Sequence, residues 1–333
     1  MNLGINDGSN LRGSAVPWVF VVAVAFVLTL LGLVMLFSAA QSTFPGAYKM
    51  LGKQAVWMVV AVTGFLIACR TPLDLLRRCS WFLYGASIIG LILTLVPEIG
   101  VKVNGAQRWL GFGPARLQVS EFAKVGLVLS MAHYMALNQR ETKTFLKGYA
   151  VPCLMIAGIC GLVILQPDFG TSFLLGAVGA VMLFQAGANL LYLVPTVALG
   201  TGVFSILVYL DPVRLRRVTA FLDVEANLND GAYQLWQGIL AFGAGGVSGV
   251  GLGKGRQQLS FLPEAHTDFI FAVIGEELGL VCTMGVVLLF MLIFVVVSWH
   301  ARKSPRLFDF LLLQGSLLAI TLQALINVGV VTG

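Results

Sequence analysis

Charge is scarce in this chain: of 333 residues only 11% are Asp, Glu, Lys or Arg, while 58% are hydrophobic. An ordinary soluble domain carries roughly a quarter charged residues. So little polar surface cannot solvate a globule of this size, which excludes a soluble enzyme and a disordered chain alike. Cysteine is equally thin. Cys69, Cys79, Cys153, Cys160 and Cys282 form an odd set without CxxC or Cys/His spacing. That excludes a disulfide scaffold and leaves them as small apolar fillers, with no metal-ligand pattern. The net charge of +6 is dispersed among loops, so nucleic acid is not an expected partner, and the Lys and Arg serve topology and lipid headgroups. No removable signal peptide is expected either: the first apolar run, Pro17 to Ala40, is long enough to span and lacks a small-residue cleavage pattern.

What the chain does have is continuous apolar sequence. The runs are unbroken rather than alternating, which points to an all-α polytopic membrane protein and away from a β-barrel. Windows of about 20 apolar residues predict nine transmembrane helices, near 17–40, 53–69, 80–97, 118–137, 149–166, 169–187, 189–210, 269–297 and 308–331. Residues 1–16 read as a cytoplasmic N-terminal segment and 17–333 as a single transmembrane domain. Two connections exceed simple turns: residues 98–119, and a large loop at 211–268 between the seventh and eighth helices. Loops of that length commonly carry function. The opposite face has short basic loops holding Arg70, Arg77 and Arg78, then Arg140, Lys143 and Lys147, then Arg302, Lys303 and Arg306. The positive-inside rule weighs short loops and places these in the cytoplasm with the N-terminus, so both long loops are expected outside.

Ionisable groups near membrane depth are costly unless paired or hydrated, and are therefore functional candidates. The first cluster is Glu264, His266, Thr267 and Asp268, leading into Glu276 and Glu277. Leu278 to Val297 is by itself a complete apolar 20-mer. A straight helix rising 1.5 Å per residue would lift Asp268 roughly 15 Å above the apolar boundary, where the phosphates and sugars of a lipid-linked substrate sit. There an anionic carboxylate can take the proton of an attacking sugar hydroxyl, or Thr267 or Asp268 simply caps the helix. His266 reads as a hydrogen-bonded structural group. The second cluster is Glu121 with Lys124, three residues apart on one helical face; it is either a self-satisfied ion pair or a phosphate-holding lysine with its partner. The third comprises Lys102, Arg108, Trp109 and Arg116. Arg108 and Trp109 either anchor at the headgroup level or line the entrance for an anionic lipid head. Arg214, Arg216 and Arg217 suggest a headgroup-facing surface. The glycine-dense stretch 243–255 fails the Walker spacing and reads as a flexible loop. Asp168 either caps the next helix or adds a second carboxylate to the site.

Together these pieces resemble a known family. The run Phe261 to Gly279 (FLPEAHTDFIFAVIGEELG) is similar, almost residue for residue, to the signature of the SEDS family, which includes FtsW, RodA and SpoVE. So are 105–109 (GAQRW), 120–124 (SEFAK), 166–171 (QPDFGT) and 233–235 (YQL). Ala265 and Gly275 look more like the division member, FtsW, than the elongation member, RodA. The resemblance implies ten helices with both termini cytoplasmic, in the bacterial cytoplasmic (inner) membrane. It also implies a peptidoglycan glycosyltransferase polymerising lipid II on the outer face, paired with a class B penicillin-binding protein and other divisome proteins. The family's essential carboxylate falls on Asp268, its paired acid and base on Glu121 and Lys124, and its loop arginine on Arg108. Glu264, His266, Asp168 and Arg116 are secondary candidates. The family pattern continues past Gly333 with a Lys-Gly, an Ile-Ser-Tyr-Gly-Gly-Ser-Ser segment and a tenth helix, so a longer natural chain is expected. No cofactor is demanded by the residue pattern, although a divalent cation could bridge Asp268 and a diphosphate. The rival reading is a flippase for lipid II or a similar polyprenyl lipid. It predicts charges spread through the bilayer depth, whereas here they gather toward one end.

Overall fold

The computed structural model describes residues 8–40, 46–103, 106–112, 115–222, 224, 232–256 and 267–333. Eleven α-helices appear among them, named here in chain order: α1 Gly8–Ala40, α2 Gly46–Arg70, α3 Leu73–Leu95, α4 Val119–Leu137, α5 Val151–Leu165, α6 Phe169–Gln185, α7 Leu190–Tyr209, α8 Pro212–Leu222, α9 Tyr233–Gly245, α10 Ile270–Ala301 and α11 Leu307–Thr332. A helix overlaps each of the nine predicted intervals, though not every one is long and apolar enough to span. Within the described residues, seven helical segments are long and apolar enough to cross a membrane, belonging to α1, α2, α3, α5 (with the π-helical turn before it), α7, α10 and α11, and α6 is a shorter apolar helix. The chain is a multi-pass membrane protein.

Its burial pattern is inverted relative to a soluble fold. On α2, Val56, Val59, Val60, Phe65 and Ile67 are all exposed, whereas Ser80, Ser87, Thr94, Ser130 and Gln166 are buried. Lipid solvates the first set, and the second must find partners internally because hydrocarbon offers none. Ser87 Oγ donates to the Leu83 carbonyl at 2.7 Å and Ser130 Oγ to the Gly126 carbonyl at 2.5 Å. The amide of Gln166 donates to the Leu91 carbonyl at 3.1 Å and to Thr94 Oγ1 at 2.6 Å. All five cysteines are free.

The chain divides into two compact units. One comprises Met1–Leu66, Tyr209–Val297 and Ala324–Gly333, and the other Ile67–Val208 with Ser298–Gln323. The core of the first unit gathers Met35 and Ala39 of α1, Ala241 of α9, Phe271, Ala272, Val273 and Val286 of α10, and Val331 of α11. In the second, α4 is the central helix, with Ala123, Leu127, Met131 and Met135 buried. Ile159 of α5, Leu175 and Met182 of α6, and Leu311 of α11 are buried in the same unit.

Three features depart from the sequence reading. The 98–119 connection, to which the sequence reading assigned no secondary structure, folds into an antiparallel sheet, β1 Gly100–Val103, β2 Ala106–Phe112 and β3 Ala115–Gln118, in the order β1-β2-β3. Val101 pairs with Trp109, Leu110 with Leu117 and Phe112 with Ala115. Apolar residues recur with strand spacing here, and Asn104-Gly105 and Gly113-Pro114 between the strands are turn-forming pairs by composition. The 211–268 loop, likewise, contains α8 and α9.

The third departure is in α10, which is not a straight rod. Gly279 has φ 74° and ψ −174°, a conformation open to glycine and strained for any other residue. Backbone groups freed by the break are taken up by the glycine-dense tract after α9. Val250 N–H donates to the Glu276 carbonyl at 3.0 Å, Gly251 N–H to the Glu277 carbonyl at 3.0 Å, and Leu280 N–H to the Gly246 carbonyl at 2.9 Å. The tract is therefore docked rather than flexible. The helical turns from 270 to 278 are not collinear with the apolar span beyond, so the 15 Å height expected for Asp268 from a continuous helix does not carry over.

Candidate active site

Lys124 lies in the second turn of α4, in the second unit. Its side chain is only 9% exposed, and Nζ stands 2.7 Å from Oε2 of Glu121, which is 51% exposed. The same Nζ donates to Oε1 of Gln323, on α11, at 2.7 Å. An ammonium has three N–H donors, and among the described residues these two acceptors are its partners. The ammonium is thus oriented by a carboxylate and a neutral amide, with one donor left for a further acceptor such as a phosphate oxygen. Gln323 was not singled out from sequence. The available signal was a carboxamide within the 26-residue apolar helix α11, a position where a polar group requires a partner.

Arg108 projects from β2 in the same unit and grips the turn between α5 and α6. Nε donates to the Gln166 carbonyl at 3.2 Å, Nη2 to the Pro167 carbonyl at 2.5 Å, and Nη1 lies 3.8 Å from Oδ1 of Asp168. That carboxylate also accepts the Thr171 N–H at 3.2 Å and so caps α6, the capping alternative for Asp168. The guanidinium ties the sheet to the α5–α6 turn, while Gln107 Nε2 donates to the Val96 carbonyl just past α3 at 3.0 Å. A lysine cannot reproduce a fork that reaches three acceptors. Both Arg108→Ala and Arg108→Lys are therefore expected to lower stability by about 1–3 kcal/mol, read as a lower unfolding temperature in detergent; an unchanged Arg108→Lys would show that charge alone suffices. No hydrogen bond or ion pair joins Arg108 to Lys124 among the described residues.

Asp268 lies in the first unit, two residues ahead of α10, and is exposed. The first-turn amides of Ala272 and Val273 donate to the Phe269 carbonyl, so α10 starts without a cap from Asp268. Among the described residues its carboxylate makes no hydrogen bond or ion pair. Arg116, on β3, is exposed. Glu264 and His266 lie outside the described residues. Among the described residues no group of three or more His, Cys, Asp or Glu is placed to hold a metal ion.

Residues 19–333 match the family of cell cycle proteins that comprises FtsW, RodA and SpoVE. The chain belongs to this family. A relative from Coxiella burnetii, described as a probable peptidoglycan glycosyltransferase FtsW, is 36% identical over 97% of this chain and 89% of its own length. One from Thioalkalivibrio sulfidiphilus with the same description is 38% identical over 91% of this chain and 78% of its own. Among solved structures, a chain reported under the structural coordination of polymerization and crosslinking by a peptidoglycan synthase complex superposes with TM-score 0.74 at 29% identity, covering 94% of this chain and 86% of that one. The rod shape determining protein RodA of Thermus thermophilus superposes with TM-score 0.69 at 28% identity, over 94% and 84%. The family match runs through both units.

Proposed function

We propose that this FtsW-like chain is a peptidoglycan glycosyltransferase that polymerises lipid II on the outer face of the bacterial cytoplasmic membrane during cell division. The observation that carries this reading is the extent of the likeness: relatives described as peptidoglycan glycosyltransferases align over more than nine-tenths of the chain. Residues 17–333 act as one membrane domain with nine spans, and the 98–119 and 211–268 connections lie outside. The partner is a crosslinking enzyme of the class B penicillin-binding type, as the solved synthase complex suggests by its coordination of two activities.

In the reaction Asp268 takes the proton of the acceptor sugar's 4-hydroxyl. The oxygen bonds to the donor's anomeric carbon with inversion, the carbon–oxygen bond to the diphosphate breaks, and the electron pair departs with undecaprenyl diphosphate. Lys124 meets the charge that accumulates on the diphosphate, where a preoriented cation in a dry site is most effective. Glu121 keeps that ammonium aimed. Arg108 adds positive charge from a position fixed by the α5–α6 turn.

Proteoliposomes holding the protein with its crosslinking partner separate this from lipid transport. Glycan strands formed from added lipid II are the expected result. Translocation of a fluorescent lipid II analogue without any polymer would overturn the proposal in favour of a flippase.

A further inference from the structure

Lys124 decides which way round the carboxamide of Gln323 sits. An ammonium only donates hydrogen bonds, so the atom 2.7 Å from Nζ is the amide oxygen, Oε1. The two ends of a carboxamide are ordinarily told apart by such a network, and here the donor leaves no choice. The nitrogen, Nε2, is then the free end, with two N–H donors of its own. Among the described residues neither has an acceptor.

α11 is apolar over most of its 26 residues, and a carboxamide there meets hydrocarbon at a cost unless something polar faces it. Gln323 is nonetheless exposed. Glu121 is half exposed as well, whereas the lysine bonded to both is buried. Covalent geometry keeps Nε2 within about 5 Å of Nζ. The spare N–H on Nζ and the two on Nε2 therefore serve one small volume. Three donors so close together suit a group that presents several acceptor oxygens at once, as a phosphate does, and hydrogen bonds to a charged oxygen are the stronger kind. Because Glu121 offsets the charge of Lys124, the ammonium alone is a weak trap for an anion. Neutral donors beside it decide how well one is held.

We propose that Gln323 is a substrate-binding residue: its Nε2 donates to a phosphate oxygen of the diphosphate that Lys124 meets. The proposal rests on Lys124 contacting that diphosphate. It differs from a role confined to aiming Lys124, for which the oxygen of Gln323 would be enough.

The test uses the full chain with its crosslinking partner, lipid II as substrate and undecaprenyl diphosphate as an added inhibitor. Gln323→Glu separates the two roles, because a carboxylate still accepts from Lys124 but no longer donates to phosphate. It is expected to lower kcat/KM for lipid II on the order of 10–100-fold, the scale of a hydrogen bond to a charged group. The inhibition constant of undecaprenyl diphosphate is expected to rise by a similar factor. Normal kcat/KM with unchanged inhibition would overturn the proposal and leave Gln323 as an aiming residue. Should Gln323→Glu fail to fold, the unaltered protein carries the test through the magnetic resonance signal of its isotope-labelled Gln323 side-chain amide, identified by its loss in Gln323→Met. That signal is expected to shift on addition of undecaprenyl diphosphate and to stay in place with undecaprenol, which has the same tail without phosphate. No shift with the diphosphate, or an equal shift with the alcohol, would overturn the proposal. Lys124→Met measured in parallel keeps the failures apart. Undiminished inhibition by undecaprenyl diphosphate there removes the phosphate site itself, whereas weakened inhibition there beside a normal Gln323→Glu removes only the glutamine.

Discussion

Asp268→Asn is expected to abolish glycan polymerisation while leaving the protein folded. The substitution keeps the shape of the side chain and removes its ability to accept a proton, and general-base catalysis contributes typically 10²–10⁴-fold. The loss should fall on kcat. Stability should change by no more than about 0.5 kcal/mol, the usual range for surface substitutions. Asp268 is exposed and, among the described residues, α10 draws no cap from it, so the variant does not trade catalysis against a lost helix terminus. Polymerisation at the normal rate, with the partner protein present, would refute Asp268 as the base. Unfolding of the variant would point to a structural task for this carboxylate instead.

The second large effect is expected at Lys124. Replacing it by Met removes the cation proposed to meet the diphosphate, with an expected loss on the order of 10²–10³-fold, the scale for a preorganised electrostatic group. Stability should fall less than for a fully buried ion pair, because Glu121 is half exposed and can be hydrated once its partner is gone. The amide oxygen of Gln323 loses its donor as well, at a cost of about 1–3 kcal/mol if it stays dry. The double variant Glu121→Gln with Lys124→Met decides between the two readings of this pair. If the pair only fixes helix packing, removing both charges together should restore polymerisation in large part. If Lys124 touches the diphosphate, the double variant should remain as inactive as Lys124→Met. Lipid II polymerisation and thermal unfolding of the same preparations give both readouts.

The helical spans were legible because hydrocarbon imposes a simple demand, about 20 apolar residues in a row, and among the described residues α1, α2, α3, α5, α7, α10 and α11 fulfil it. The Glu121–Lys124 pair was legible from its helical spacing, and the Asp168 cap from an acidic residue opening a helix. Harder to see was the sheet at 100–118, whose alternation is short and sits between two strong helical signals. The break in α10 was hidden for a different reason. Phe271 to Val297 carries no charge apart from Glu276 and Glu277, so periodicity shows one long span, and a glycine at a break looks like any other membrane glycine. Gln323 gave no sign of its partner because that lies 199 residues away.

Composition and the order of apolar runs therefore established that this chain lives in a membrane, and the long motif around Asp268 pointed to its family. Those properties depend on local chemistry: transfer of apolar side chains into hydrocarbon, and residue types set at short spacing. Only the tertiary structure decided that Arg108 holds a turn and that Gln323 completes the Lys124 site. Each of these is a hydrogen bond between segments remote in sequence. Buried polar groups must be satisfied, but which distant atom satisfies them is settled when the helices pack.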